Sequence, residues 1–163
     1  MDIKLKRLLD MHVPDTVLLA SWMEDQGFSH DLQQRYKKSG WLESIGVGAF
    51  KRPNETVNWQ GGVYSLQKQR HFPVHVGGLT SLSLLGASHY IRTGRETVNL
   101  FTPQNMNLPS WFRNNNWGVT LLHKRTSFLP DDLAMVNFDI MKYSLTISST
   151  ERAHRLSHFS ILR

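Results

Sequence analysis

The sequence predicts an α+β protein made of two small modules, and two observations lead to that prediction. Helical periodicity dominates residues 1–70, whereas strand-like runs separated by glycine and proline dominate residues 71–163. Because helical signals come first and strand signals follow, helices and strands are expected to segregate along the chain. The 163 residues, 40% of them hydrophobic, are enough to bury one ordinary core or two small ones.

Two short amphipathic helices are predicted at the N terminus. Within residues 3–12, three leucines recur at i, i+3 and i+4, the spacing of one apolar helix face. Val13-Pro14-Asp15 interrupts this pattern, and a second helix is predicted to start at Thr16. Gly27 is predicted to end it, because glycine is favoured just past a helix C terminus.

A third helix is predicted to begin after Ser29 and to end at Ser39-Gly40. The Ser29 hydroxyl is expected to act as its N-cap, with the Asp31 carboxylate in the first turn. Projected at about 100° per residue, Leu32 and Tyr36 fall on one face, which is expected to pack inward. The opposite face is expected to expose His30, Gln33, Gln34 and Lys37.

A β-hairpin and a fourth helix complete the first module. Extended runs at 41–45 and 49–52 flank a three-residue loop with two glycines, the pattern of a hairpin. A further helix is predicted over residues 58–69. The order helix, helix, glycine turn, helix, hairpin is that of a winged helix-turn-helix, predicted for residues 1–70.

The second module, residues 71–163, is predicted to be a small mixed α/β module with antiparallel strands. A short helix is expected to run from Leu79 to Gly86. Proline-containing loops separate the strands that follow. The strand candidates are residues 74–76, 97–101, 117–123, 133–140 and 142–148.

Positive charge is concentrated in two stretches of the chain. The net charge is +6; residues 35–52 carry five basic residues and one acid, and residues 56–130 carry seven basic residues and one acid. Such a distribution raises the expectation of a polyanion as partner.

The predicted outer face of the third helix has chemistry suited to reading DNA. Glutamine pairs with adenine and lysine donates to guanine in the major groove. The flanking Arg35 and Lys38 suit phosphates, and Lys51 and Arg52 are expected near DNA backbone or the minor groove. A solvated surface helix would have a similar polar face, so that alternative stays open. The candidate DNA-binding residues are Ser29, His30, Gln33, Gln34, Arg35, Lys37, Lys38, Lys51 and Arg52.

Several other classes of protein are not expected. The absence of cysteine excludes a disulfide framework, a thiolate zinc site and a cysteine nucleophile. No histidine pair has convincing metal-ligand spacing, and no catalytic constellation is apparent. We therefore expect no enzyme activity, cofactor, metal or small-molecule substrate. No apolar run approaches the ~20 residues of a membrane span, which favours a cytoplasmic protein without a membrane partner.

Particular motifs resemble the AbiEi family of abortive-infection antitoxins. The resemblance runs through about residue 153, and its motifs occur in the family's order. They are YKKSGWLESIGVG at 36–48, WQGGVY at 59–64, VHVGG at 74–78, VNLFTP at 98–103, LPSWF at 108–112 and ISSTERA at 147–153.

The resemblance implies an N-terminal winged helix-turn-helix that binds inverted repeats in its own promoter. It implies a functional, rather than direct physical, link to a nucleotidyltransferase-like toxin in a type IV toxin-antitoxin system. Family members continue further after the segment at 147–153, so the C-terminal module is expected to be truncated relative to the family.

Together these features predict a sequence-specific DNA-binding transcriptional regulator of the antitoxin type, which represses its own operon as a monomer or weak dimer on DNA. The alternative is a winged-helix module that binds protein or RNA without a specific operator. A sequence preference on duplex DNA would distinguish the two.

Overall fold

The computed structural model describes residues 3–84 and 95–127 of the chain. These residues form both helices and strands, so the predicted α+β class is confirmed. None of the described helices has the length and apolar character needed to cross a lipid bilayer. The elements are α1 (Ile3–Met11), β1 (Leu18–Leu19), α2 (Ala20–Asp25), α3 (His30–Lys38), β2 (Glu43–Gly46), β3 (Ala49–Lys51), α4 (Trp59–Arg70), β4 (His75–Val76), α5 (Gly78–Leu84), β5 (Thr97–Pro103), α6 (Ser110–Arg113) and β6 (Thr120–Thr126).

The described residues divide into two compact units. The first contains residues 3–72 together with 108–117, and the second contains the other described residues. Residues 108–117 therefore group with the first unit although they follow β4 and β5 in sequence. The division of the chain into functional domains at residue 70 stays a prediction.

The first unit is a winged helix-turn-helix, as predicted. Its sheet is antiparallel with strand order β1-β3-β2, and the hairpin of β2 and β3 is the wing. The prediction of helix from Thr16 was wrong for the first residues, because α2 begins only at Ala20. Leu18 and Leu19 instead pair with β3 and are buried, so strand pairing overrides the local helical pattern there.

One hydrophobic core joins the first three helices to the wing. Burying a leucine or phenylalanine side chain contributes about 1.5–3 kcal/mol, so a cluster of this size fixes how the helices lie on the sheet. Its buried members are Leu5, Leu8, Leu18, Met23, Phe28, Leu32, Tyr36, Leu42 and Phe50.

The turn between α2 and α3 is set by backbone hydrogen bonds around Gly27. This glycine has φ of +87°. Its N–H donates to the Glu24 carbonyl at 2.8 Å, and the Phe28 N–H donates to the Met23 carbonyl at 2.9 Å. This is a Schellman ending, which confirms the predicted role of Gly27. Ser29 holds the N-cap position of α3, but its side chain makes no capping hydrogen bond, so the predicted hydroxyl cap is wrong.

Helix α4 attaches to the edge of β1 through two side chains. The Ser65 hydroxyl donates to the Val17 carbonyl at 2.7 Å and accepts from the Val17 N–H at 3.0 Å. The Gln69 amide accepts from the Leu19 N–H at 2.9 Å and donates to the Val17 carbonyl at 2.6 Å. These bonds satisfy backbone groups on the strand edge that does not face β3.

The N-terminal turn of α4 lies close to the loop after α1. The Asn58 side chain caps the helix by accepting from the Gly61 N–H at 2.9 Å. A side chain at Gly61 would overlap the Asp15 carbonyl, so this close approach requires glycine.

Residues 108–117 contribute an aromatic cluster to the first unit. The Phe112 and Trp117 rings lie 5.0 Å apart, and Trp111 meets both edge-on. The Trp117 indole N–H donates to the Phe112 carbonyl at 2.6 Å. The short helix α6, which carries Trp111 and Phe112, was not predicted from the sequence.

The second unit has a three-stranded sheet in the order β4-β5-β6. Strands β4 and β5 are antiparallel, as predicted, but β5 and β6 run parallel. The sixteen-residue connection over 104–119 exceeds the dozen or so residues that a parallel crossover needs. The predicted strands at 133–140 and 142–148, and the predicted end of α5 at Gly86, lie outside the described residues.

We predict that Gly61→Ala destabilises the protein by about 1–3 kcal/mol, because the new methyl group would force α4 away from the Asp15 carbonyl. This loss would appear despite a gain in helix propensity of about 0.5–1 kcal/mol. Chemical denaturation measures it, with Gln60→Ala in the same helix turn as control. A Gly61→Ala variant as stable as the control would contradict the packing described here.

Candidate nucleic-acid interface

Helix α3 carries most of the predicted site, and three of its residues face inward. Leu32, Gln33 and Tyr36 are buried. At about 100° per residue they lie near 200°, 300° and 240° from His30, so the buried arc spans about 100°. The direction opposite this arc points away from the core and lies near 70°.

Gln33 was predicted on the exposed face, and this prediction was wrong. Gln33 is fully buried, with 0% of its surface exposed. Its amide nitrogen donates to the Ala20 carbonyl at 3.0 Å and to the Phe28 carbonyl at 2.8 Å. A polar side chain beside the apolar arc thus found backbone acceptors inside the helix-turn-helix. Gln33 connects α3 to the start of α2 and to the turn, and it cannot reach a base without leaving this position.

The burial of Gln33 rotates the outward face of α3 relative to the prediction. Gln34, Asp31 and Lys38 now lie within about 35° of the outward direction. His30, Arg35 and Lys37 lie on its flanks. Among the predicted residues, Ser29, His30, Arg35, Lys37 and Lys38 are exposed, while Gln34 is partly buried, its amide nitrogen 3.3 Å from His30 Nε2.

Asp31 was predicted only as a charge in the first turn of α3 and was not among the candidate DNA-binding residues. The chemistry of Gln33 is the signal that could have placed Asp31 on the outward face. The Gln33 side chain is long enough, and has the N–H donors, to bond backbone carbonyl groups inside a turn, and its burial turns Asp31 outward.

The last turn of α3 presents three cations, Arg35, Lys37 and Lys38. Within the part of the chain that the structure describes, none of the three forms an ion pair. Their charges are therefore available to an anion, and they sit at the helix C terminus, where positive charge is also favourable to the helix.

The two cations at the base of the wing are already paired. Lys51 Nζ lies 3.4 Å from a Glu43 carboxylate oxygen and donates to the Glu55 carbonyl at 3.2 Å. Arg52 Nη1 lies 3.4 Å from a Glu55 carboxylate oxygen. Surface pairs of this kind are worth only about 0–1 kcal/mol, so a phosphate can compete for these cations. Their contact with DNA stays a prediction.

Glu55 also connects the wing base to α1. Its other carboxylate oxygen lies 2.8 Å from Nε2 of the buried His12, just past the end of α1. Burial and, secondly, the Glu55 charge raise the pKa of the neighbouring Asp15 above its ordinary value of 3.8, while His12 opposes the shift. These contacts hold the wing base against α1.

The tip of the wing exposes an apolar side chain. Val47 is 87% exposed between Gly46 and Gly48.

Within residues 3–84 and 95–127, no group of three or more histidine, aspartate or glutamate side chains is arranged to hold a metal ion. Among the described residues, the exposed surface of the first unit includes the outward face of α3 and the tip of the wing.

We predict that Gln33→Leu lowers the free energy of unfolding by about 1–3 kcal/mol, because the buried hydrogen bond to the Phe28 carbonyl and the partly buried one to the Ala20 carbonyl are lost. Gln34→Ala, one residue along the same helix, is expected to change stability by less than about 0.5 kcal/mol. Urea denaturation of both variants makes the comparison. Equal stability of the two variants would be incompatible with the inward position of Gln33.

Two models of known protein families match the chain. A family model described as a transcriptional regulator, the AbiEi antitoxin N-terminal domain, matches residues 1–93. A second, described as a transcriptional regulator, AbiEi antitoxin, type IV TA system, matches residues 95–155. No curated protein and no solved structure matches the chain. The resemblance predicted from the sequence is confirmed: the chain belongs to the AbiEi antitoxin family of transcriptional regulators.

Proposed function

We propose that the protein binds a specific operator in its own promoter through α3 and thereby represses its operon. The observation that carries this proposal is the outward face of α3, where hydrogen-bonding side chains lie beside three cations that form no ion pair with any other described residue. Membership of a family of antitoxin transcriptional regulators supports the same conclusion.

The exposed residues of α3 fall into two groups, those that can reach DNA bases and those that can reach phosphates. In a helix-turn-helix, residues near the N-terminal end of the recognition helix contact base edges. His30 and Gln34 are therefore assigned to bases, with Gln34 pairing adenine. Ser29, Arg35, Lys37 and Lys38 are assigned to phosphates, which position the helix without reading sequence.

The wing extends this surface. Its base carries Lys51 and Arg52, which exchange their carboxylate partners for phosphates when DNA binds. The contact between Glu55 and His12 keeps the wing base in place, so the wing is presented to DNA together with α3.

The operator is an inverted repeat that takes two copies of the chain, one on each half-site, with the protein a monomer or weak dimer. In its toxin-antitoxin system the protein has a functional link to a nucleotidyltransferase-like toxin and does not bind it directly. Regulation of the operon then sets the amounts of both gene products.

Fluorescence anisotropy on the native upstream duplex, with a scrambled duplex of equal composition beside it, tests the proposal at two salt concentrations. Preference for the native duplex by about 10³ or more is expected. Equal, salt-sensitive binding to both duplexes would contradict operator recognition. Binding to neither would favour a module that binds protein or RNA.

Two variants distinguish residues that contact bases from residues that contact phosphates. Gln34→Ala is expected to weaken operator binding by about 1–3 kcal/mol and to relax the preference at one base pair. Lys38→Gln is expected to weaken binding to native and scrambled duplexes alike and to reduce the slope of log K against log salt by about 1.

Lys6→Gln, which removes an exposed positive charge from α1, serves as the charge control for Lys38→Gln. A Lys38 variant with the same salt slope as the control would argue against a phosphate contact at α3. A Gln34 variant with unchanged base preference would remove Gln34 from the reading residues.

A further inference from the structure

The inward position of three residues determines which side chains α3 offers to a partner. Leu32, Gln33 and Tyr36 are buried, so the centre of the outward face lies near 70° from His30. Asp31 lies near 100°, about 30° from this centre, in the first turn of the helix. A carboxylate therefore stands near the middle of a face that is otherwise neutral or basic.

Asp31 is exposed and has no partner among the described residues. Arg35 lies one helical turn away, at the spacing of an i, i+4 ion pair, yet no ion pair joins the two side chains. An acid in the first turn stabilises the helix, and that alone accounts for a carboxylate near a helix N terminus. It does not account for a carboxylate on the side that faces DNA, where phosphates repel it.

We propose that Asp31 determines specificity by accepting a hydrogen bond from the exocyclic amino group of a cytosine in the major groove. Aspartate is an acceptor only, and the cytosine N4 amino group is the donor with which acidic side chains pair there. The inference rests on the proposed function. It adds a cytosine to the adenine assigned to Gln34, one helical turn further along the same face.

Because Asp31 is negatively charged, its removal is expected to change DNA binding in a way that removal of a neutral base-contacting residue does not. Removing Asp31 removes both a base contact and a repulsion from phosphates. Discrimination at one base pair therefore falls, while affinity for scrambled DNA rises. Loss of a neutral reader such as Gln34 would lower discrimination without raising affinity for scrambled DNA.

The experiment selects duplexes from a library with a randomised half-site, using the full chain and its Asp31→Asn and Asp31→Ala variants. The unmodified protein is expected to enrich cytosine at one position. Both variants are expected to weaken the preference there: Asp31→Ala by roughly 5- to 150-fold in anisotropy titrations of duplexes that differ at that base pair, and Asp31→Asn by less, because its amide oxygen can still accept a hydrogen bond. Their affinity for a scrambled duplex is expected to rise.

Asp25→Asn, which neutralises an exposed acid at the end of α2, is the matched control. It is expected to keep every base preference of the unmodified protein. Thermal unfolding of all the variants distinguishes a base contact from a structural role of Asp31. A structural role would lower the unfolding midpoint and weaken the base preference at all positions of the half-site together.

The outcomes distinguish failure of the proposed function from failure of the role proposed for Asp31. Enrichment of no sequence by the unmodified protein would overturn both the proposed function and this inference. Enrichment of a defined half-site whose preferences survive in both Asp31 variants would overturn the role of Asp31 alone. Loss of preference at a position that is not cytosine would overturn the assigned base.

Discussion

The buried amide of Gln33 is the interaction on which the proposed DNA-reading surface depends. By donating to carbonyl groups at the start of α2 and in the turn, it fixes the rotation of α3 about its own axis. A rotation of one residue position, about 100°, would replace the side chains at the centre of the outward face. The chemistry offered to a partner is therefore decided by a residue that does not meet that partner, and Leu32 and Tyr36 reinforce the choice by packing into the core.

Polar side chains also connect the remaining elements of the first unit. Ser65 and Gln69 attach α4 to the edge of β1, and Glu55 attaches the wing base to α1 through His12. Ser65 and Gln69 satisfy backbone groups at the open edge of a strand of two residues, whereas Glu55 and His12 join two side chains. A sheet with strands of two to four residues depends on such support.

Local signals were sufficient for much of the fold and insufficient for the site. Gly27, the glycine loop around Val47 and the periodicity of α1 act within a few residues, so the sequence predicts the turn, the hairpin and the first helix correctly. Leu18 and Leu19 were predicted as helix because their strand partners lie some thirty residues away. Gln33 was misplaced for a related reason. Its acceptors belong to other segments, and a helical projection ranks side chains by polarity rather than by the partners that tertiary structure brings to them.

The first unit is discontinuous in sequence, because residues 108–117 return to it after β4, α5 and β5. During synthesis the winged helix-turn-helix cannot acquire its aromatic cluster until Trp117 has left the ribosome. Closing so long a loop carries an entropic cost that grows only with the logarithm of its length. The order of assembly is more affected than the final stability. The helix-turn-helix can form first from local contacts, and the packing of Trp111 and Phe112 completes it later, so the mature surface of this unit exists only once most of the chain has been made.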